Sequence, residues 1–407
     1  MVNCRGCGFK LSLTLLDLGE SPIANNLVGL PNSNLQNQHY PLRAMTCGNC
    51  ALVQLSEELP RKILFNPDYV YYSSFSTSWL EHSKLYSQKM IQLLKLNKTD
   101  LVVEVASNDG YLLNFFKSNG VHVLGIEPAS GVAQVAVNNG IPTVIDFFGK
   151  SLALKLIQTQ KPKLIIGNNV LAHVPNLHDF ISGIATLIDD EGVATLEFPH
   201  LLNLLKNNQF DTIYHEHYSY LSITALLPIF EQYKLKVFEV EKLLTHGGSL
   251  RIFIAKNNSN WEISQSVQDI LNEEVQFDPR DERIYKLLQT KAIKTKNDLT
   301  IELSKQKLNG MRISAYGAAA KGISLLNYCG INSDTIDFVV DLNPIKQGKF
   351  IPGCQIPIVD IKMLTSNPPD ILLVLAWNLS TEIKLQLKNH INLGMKLIRA
   401  IPEVVYF

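Results

Sequence analysis

At 407 residues the chain exceeds one ordinary domain, so two or three are expected, each large enough to bury a core. Its 37 basic residues balance 37 acidic ones, and a formal net charge of zero offers no field for a polyanion, which excludes nucleic acid as the expected partner. Hydrophobic residues at 46% and charged residues at 18% suit a globular protein. No apolar run approaches the roughly 18 residues of a membrane span, and no basic segment leads into an apolar one at the N-terminus, so a cytoplasmic protein without membrane contact is expected.

Residues 1–77 differ from the rest. Turn formers such as Ser21-Pro22, Pro31-Asn32 and Asn66-Pro67 interrupt short apolar runs with little periodicity. That is the profile of a small, loop-rich unit held by something other than its own core. Cys4-x-x-Cys7 and Cys47-x-x-Cys50 supply the candidate staple. A two-residue gap lets both thiolates of a knuckle reach one ion, and two knuckles close a tetrahedral structural Zn2+ site with no position left for water. Two redox pairs or unpaired thiols are the competing reading. Cys329 and Cys354 are expected to be packing residues.

From Ser78 the pattern changes. Residues 79–96 carry apolar positions at helical spacing, and short apolar strands then alternate with helices, the strands being expected at 101–105, 121–126, 142–145, 163–166 and 192–197. This argues α/β architecture, a doubly wound parallel sheet spanning 78–262. After the first strand comes Ala106-Ser107-Asn108-Asp109-Gly110, a small-residue loop placed to offer backbone N–H groups to a ligand. It has one glycine where a dinucleotide site wants three, which points to a ligand without a pyrophosphate. Glu127, followed by Pro128, ends the second strand, where an acid accepts from ribose hydroxyls. Asp146 and Phe147 follow the third, where they can flank adenine, and Asn168 follows the fourth. Loop, ribose acid and adenine flank stand in the order expected for an S-adenosylmethionine domain.

Within this unit Tyr214-His215-Glu216-His217-Tyr218-Ser219-Tyr220 concentrates titratable groups, with His173 and His246 in separate segments. Three readings stand: metal ligands, although the His-Glu-x-x-His of a zincin is absent; a satisfied polar cluster; or a histidine base held by a neighbouring carboxylate with a tyrosine polarising a carbonyl. Residues 263–308, rich in Lys, Glu and Gln, read as a solvated helical connector between domains. Strands expected at 312–316, 336–340, 371–374 and 397–400 then describe a second Rossmann-like unit, 309–407. In it Lys321 and Gly322 of the Gly317–Gly322 loop, together with Lys346, are either phosphate contacts or ordinary packing residues at a helix start.

At these residues the sequence resembles the S-adenosylmethionine-dependent C-methyltransferases that act on nucleotide-linked 4-keto-deoxysugars. The likeness runs through the cysteine quartet, Tyr69–Ser74, Glu104–Gly110, Gly125–Ala129, Asn169–Pro175, Tyr214–Tyr220, His246–Leu250, Gly317–Gly322 and Asp341–Gly353. It implies a three-part enzyme: a zinc-stapled N-terminal domain, a central cofactor domain and a C-terminal domain that helps hold the nucleotide-sugar, thymidine-diphosphate-linked in the first instance. It further implies His217 as general base assisted by Glu216, removing the C3 proton beside the C4 ketone. Tyr214, His173 and one of Tyr69 and Tyr71 would line that site, with Glu104, Ala106, Asn108 and Gly110 in the cofactor loop and His246, Lys321, Gly322 and Lys346 toward the substrate. A monomer is expected. An O-methyltransferase of a sugar or small metabolite, and a non-catalytic zinc-stapled nucleotide-sugar-binding protein, are the alternatives; a dehydrogenase is disfavoured because neither loop carries the full glycine fingerprint.

Overall fold

A computed structural model describes residues 2–29, 38–64 and 72–407. Its middle is a seven-stranded sheet in the spatial order Leu235–Leu243, Ser249–Lys256, Val193–Pro199, Leu164–Asn168, Leu101–Val105, His122–Ile126, Thr143–Val144. The five strands expected from the sequence run parallel, because each is apolar on both faces and is separated from the next by a helix. The last two strands form an antiparallel hairpin added at one edge, which the sequence reading did not anticipate. Strand order reverses between Leu101–Val105 and Leu164–Asn168, so a crevice opens at their carboxyl ends. Helix Thr77–Leu94 packs beside it, started by the Ser76 hydroxyl accepting from the Trp79 N–H at 3.3 Å and ended by Lys95 in the left-handed region.

The N-terminal segment is more regular than expected. Leu13–Ser21, Tyr40–Thr46 and Val53–Leu55 form an antiparallel meander, and Ser219–Tyr220 joins it as a fourth strand. Register shifts within the first pair break the two-residue alternation on which a strand reading depends. The 263–308 segment also differs from a plain connector. Helix Gln265–Val275 packs on the central unit against Leu235–Leu243 and Ile223–Gln232, whereas Glu282–Leu308 lies on Leu13–Ser21 and on helix Ala320–Cys329. Leu299 and Leu303 of that long helix share a core with Leu15, Leu42, Val53, Ile323 and Leu326, so the N- and C-terminal units meet across it. The C-terminal sheet runs Ile358–Val359, Val339–Val340, Ile313–Tyr316, Ile371–Val374, Lys396–Arg399, Val405–Tyr406, parallel except for the last pair. No helix among the described residues is long and apolar enough to cross a membrane.

Candidate active site

A cavity of about 310 Å³ opens at the carboxyl edge of the central sheet and is closed on its far side by the C-terminal unit. Ala106, Asn108, Glu127, Pro128, Asp146, Phe147 and Asn168 line one wall. Ala106, Asn108 and Asn169 hold φ of 57°, 51° and 53°, a left-handed backbone that costs a non-glycine residue about 1 kcal/mol or more and clusters where strands feed functional loops. Glu127 is buried and accepts the N–H of Asn108 at 2.9 Å and of Ala129 at 2.8 Å, while burial still pushes its carboxyl up to about 7. Arg61 lies over the Phe147 ring at 4.4 Å.

Several buried polar atoms here have no partner: Ser107 Oγ, Asp109 Oδ1, Glu104 Oε2 and both amide atoms of Asn168. Unpaired buried donors and acceptors are costly unless a ligand completes them. Of these, Asn168 lines the cavity; its free amide, with the Asn108 and Glu127 loops beside it, suits the hydroxyls and ammonium group of S-adenosylmethionine. Glu104 sits within its strand with its carboxyl raised well above the usual range by burial and by Asp109 and Glu127, and it does not line the cavity. Gly110 is also away from the wall. Its φ of 79° and the approach of Ile141, within 3.0 Å of a would-be Cβ, make it a backbone requirement rather than a ligand contact.

The second wall carries the histidines. His217 is buried; its Nδ1 lies 3.0 Å from the Thr212 carbonyl and its Nε2 2.8 Å from the Tyr214 hydroxyl. A carbonyl only accepts, so Nδ1 carries the proton and Nε2 keeps its lone pair, accepting from Tyr214. His173 donates from Nδ1 to the Glu216 carbonyl at 2.6 Å, its ring 4.7 Å from that of His217. Burial pulls His173 down to about 4; burial first, then His173, hold His217 well below the ordinary histidine value. Both are therefore neutral near pH 7. The sequence placed a carboxylate behind the base. Here the Glu216 carboxylate accepts the Asn25 N–H at 3.0 Å, and a backbone carbonyl does the orienting instead.

His246, pulled down to about 4 by burial and then by Lys321, faces the cavity with Nε2 3.1 Å from the Asn169 side-chain nitrogen. Lys321 and Lys346 reach the cavity from the C-terminal unit. Lys346 is already engaged, donating to the Ala318 carbonyl at 2.7 Å. Gly322 is not at the wall; a Cβ there would meet the Leu375 Cβ at 2.6 Å, so its smallness serves helix–strand packing. Tyr69 and Tyr71 lie outside the described residues, but the adjoining Ser73 and Ser74 N–H groups donate to Asn108 and Asp109 of the cofactor loop. Sequence reasoning missed Trp79, Arg61, Asn25 and Thr212, all of which line the cavity.

Outside the cavity lining, the Sγ atoms of Cys4, Cys7, Cys47 and Cys50 lie within 4.8 Å of one another, with Cys4–Cys50 and Cys7–Cys47 at 3.5 Å. Bonds of about 2.3 Å to a tetrahedral zinc require sulfurs about 3.8 Å apart, so the quartet fits the ion. Backbone N–H groups of Gly6 and Cys50 point at sulfurs, and Arg280 is near enough for the thiols to raise its pKa, after the larger effect of Asp278. These are partners that thiolates favour. The knuckle is tied to the histidine segment: Arg5 donates to the Tyr218 carbonyl at 2.8 Å, and Val53 pairs with Tyr220.

Comparison with known proteins follows the same division. Residues 79–240 match a methyltransferase domain family, 244–402 the C-methyltransferase C-terminal domain, and 4–65 a domain described as zinc binding. The chain is similar to the C-methyltransferase NovU of Streptomyces niveus, 33% identical over 401 residues that cover 98% of this chain and 95% of that protein. Among solved structures it is similar to magnesium protoporphyrin IX methyltransferase ChlM from Synechocystis PCC 6803 with bound SAH, at 15% identity over 42% of this chain and 83% of that one, TM-score 0.33. It is also similar to the YcgJ protein of Bacillus subtilis, at 11% identity over 43% and 97%, TM-score 0.32.

Proposed function

The chain belongs to the family of S-adenosylmethionine-dependent C-methyltransferases, and from that premise we propose that it methylates C3 of a nucleotide-linked 4-keto-deoxysugar, thymidine-diphosphate-linked in the first instance. The observation that carries this reading is a single cavity in which the Nε2 of His217 and the Tyr214 hydroxyl, 2.8 Å apart, face the Asn108–Glu127 loops on one side and Lys321 on the other. In this reading residues 1–77 form the zinc-held unit, 78–262 the cofactor unit and 309–407 the nucleotide-sugar unit.

A proton beside a ketone is too weak an acid to leave unaided near neutral pH, so a base and a donor at the ketone oxygen must act together. His217 is neutral, with Nε2 as its only basic atom, and takes the C3 proton there. The Thr212 carbonyl holds the ring in the tautomer that can do so. The Tyr214 hydroxyl, which donates to Nε2 in the absence of substrate, turns to the ketone oxygen and stabilises the charge that develops on it. S-adenosylmethionine, when bound, supplies the electrophilic methyl group. Glu127, Asn108 and Asn168 hold and align it, while Trp79 and Phe147 exclude water. Lys321 and Lys346 anchor the diphosphate.

The test is incubation with S-adenosylmethionine and a thymidine-diphosphate 4-keto-6-deoxyhexose in heavy water, read by mass spectrometry and NMR. A methyl branch at C3, absent for His217→Asn, is expected. Cofactor binding without methylation of any 4-keto sugar, or methylation at oxygen, would sink the substrate reading.

A further inference from the structure

Trp377 of the C-terminal unit meets three parts of the site. Its indole N–H donates to Asp211 Oδ2 at 2.6 Å, and its ring face carries Lys321 Nζ 4.2 Å from the centroid. Its edge lies so close to Gly247, beside His246, that a Cβ there would come within 2.5 Å. Asp211 is fully buried in the turn Phe210–Thr212, and the carbonyl of its neighbour Thr212 accepts the His217 Nδ1–H. Gln209, on the other side, donates to the Gly247 carbonyl at 2.8 Å. One buried carboxylate thus stands between the cavity lysine and the turn that orients the base, and the reaction as described above leaves it without a task.

A carboxylate taken out of water is expensive unless a charge and hydrogen bonds compensate it. Asp211 has the indole N–H on Oδ2 and the Lys321 charge on the face of the same indole ring, although Oδ1 has no partner and burial still pushes the carboxyl up to about 6. The effect is mutual: burial pulls Lys321 down to about 8, and the negative charge of Asp211 holds it from falling further. The other groups facing this pair are His246 from the hairpin, Asn378, whose side-chain oxygen accepts from Lys321, and Cys329. None of these carries a negative charge near neutral pH that could replace that of Asp211.

We propose that Asp211, anchored by Trp377, is a positioning residue that keeps the Lys321 ammonium charged toward the anionic diphosphate of the substrate and fixes the Thr212 carbonyl behind His217. The proposal rests on the nucleotide-sugar reading above. It couples the anchoring of the nucleotide to the orientation of the base through one side chain.

Asp211→Asn keeps an acceptor for the indole and removes the charge. Thymidine diphosphate binding to the full chain, followed by calorimetry as pH rises, gives a readout independent of turnover. Wild-type affinity should fall as pH passes about 8, where Lys321 loses its proton. In the variant that midpoint should move down; a shift of about one pH unit would leave the complex about threefold weaker midway between the two midpoints and about tenfold weaker above both. In turnover, Asp211→Asn should raise KM more than it lowers kcat, whereas Trp377→Phe, which keeps the ring but frees the Asp211–Thr212 turn, should lower kcat. Superimposable pH curves for Asp211→Asn and wild type, with both methylating, would overturn the positioning role alone. A wild type that binds no diphosphate at any pH would overturn the substrate reading, and this proposal with it.

Discussion

Tyr214→Phe separates the chemical role of the tyrosine from its structural one. The ring packs against His217 with centroids 4.0 Å apart, and phenylalanine preserves that contact; only the hydroxyl, 2.8 Å from Nε2, is lost. Before substrate binds, the loss of the neutral hydrogen bond to Nε2 costs about 1 kcal/mol net, and Tm should move by only a few degrees. In the transition state the same hydroxyl faces an oxygen acquiring charge in a water-poor cavity. Removing one such donor costs about 3–4 kcal/mol, or about 10²–10³ in kcat. The assay follows two signals on one sample in heavy water: deuterium entering C3, which reports proton removal, and the methyl branch, which reports completed transfer. His217→Asn should abolish both. Tyr214→Phe should slow both by the same factor with S-adenosylmethionine affinity unchanged, because the hydroxyl acts on the step they share. A variant whose exchange and methylation stay within about threefold of wild type would refute the assignment of Tyr214 as the donor.

Three further outcomes follow from the packing and charge described above. Gly322→Ala places a Cβ 2.6 Å from that of Leu375, so it should lower stability by about 1–3 kcal/mol in a thermal melt while leaving diphosphate affinity nearly intact; a large loss of affinity at unchanged Tm would restore Gly322 as a ligand contact. His173, drawn down to about 4, stays neutral in the fold while the unfolded chain protonates near 6.5, so its contribution is present above 6.5 and is lost as pH falls toward 4. The Tm of His173→Gln relative to wild type should accordingly rise across that window; a difference flat with pH would mean His173 is not held neutral. Stripping zinc with a chelator, or Cys50→Ser, should release the N-terminal unit and, through Arg5–Tyr218 and the Val53–Tyr220 pairing, speed amide exchange over 216–220 as well as around the knuckles. Unaltered exchange at 216–220 after verified metal removal would show that the histidine segment holds its place without the staple.

How far the sequence could be read depended on what kind of signal each feature leaves. Leu101–Val105 was legible to the residue because a central parallel strand is apolar on both faces and is punctuated by a small-residue loop. The cysteine quartet was legible because a knuckle fixes its spacing. Glycine left an ambiguous signal: Gly110 and Gly322 each sit in a loop that suggests a ligand, and the structure gives the first a positive φ and the second a close strand contact, the packing role the sequence had left open for Gly322. Glu216 fell to another limit of spacing. Residues 214–217 form a turn, closed by the His217 N–H donating to the Tyr214 carbonyl at 3.0 Å, so the residue beside the proposed base points toward Asn25, and the group behind His217 is the Thr212 carbonyl. A backbone carbonyl exists at every position and leaves no mark in composition. Its importance at Thr212 comes from the turn that holds it, and that turn is bonded through Asp211 to Trp377, 166 residues further along the chain. Many of the side chains that line the cavity and that we propose carry the chemistry were therefore visible in the sequence, whereas the groups that orient them were not, because orientation here is a property of contacts between units.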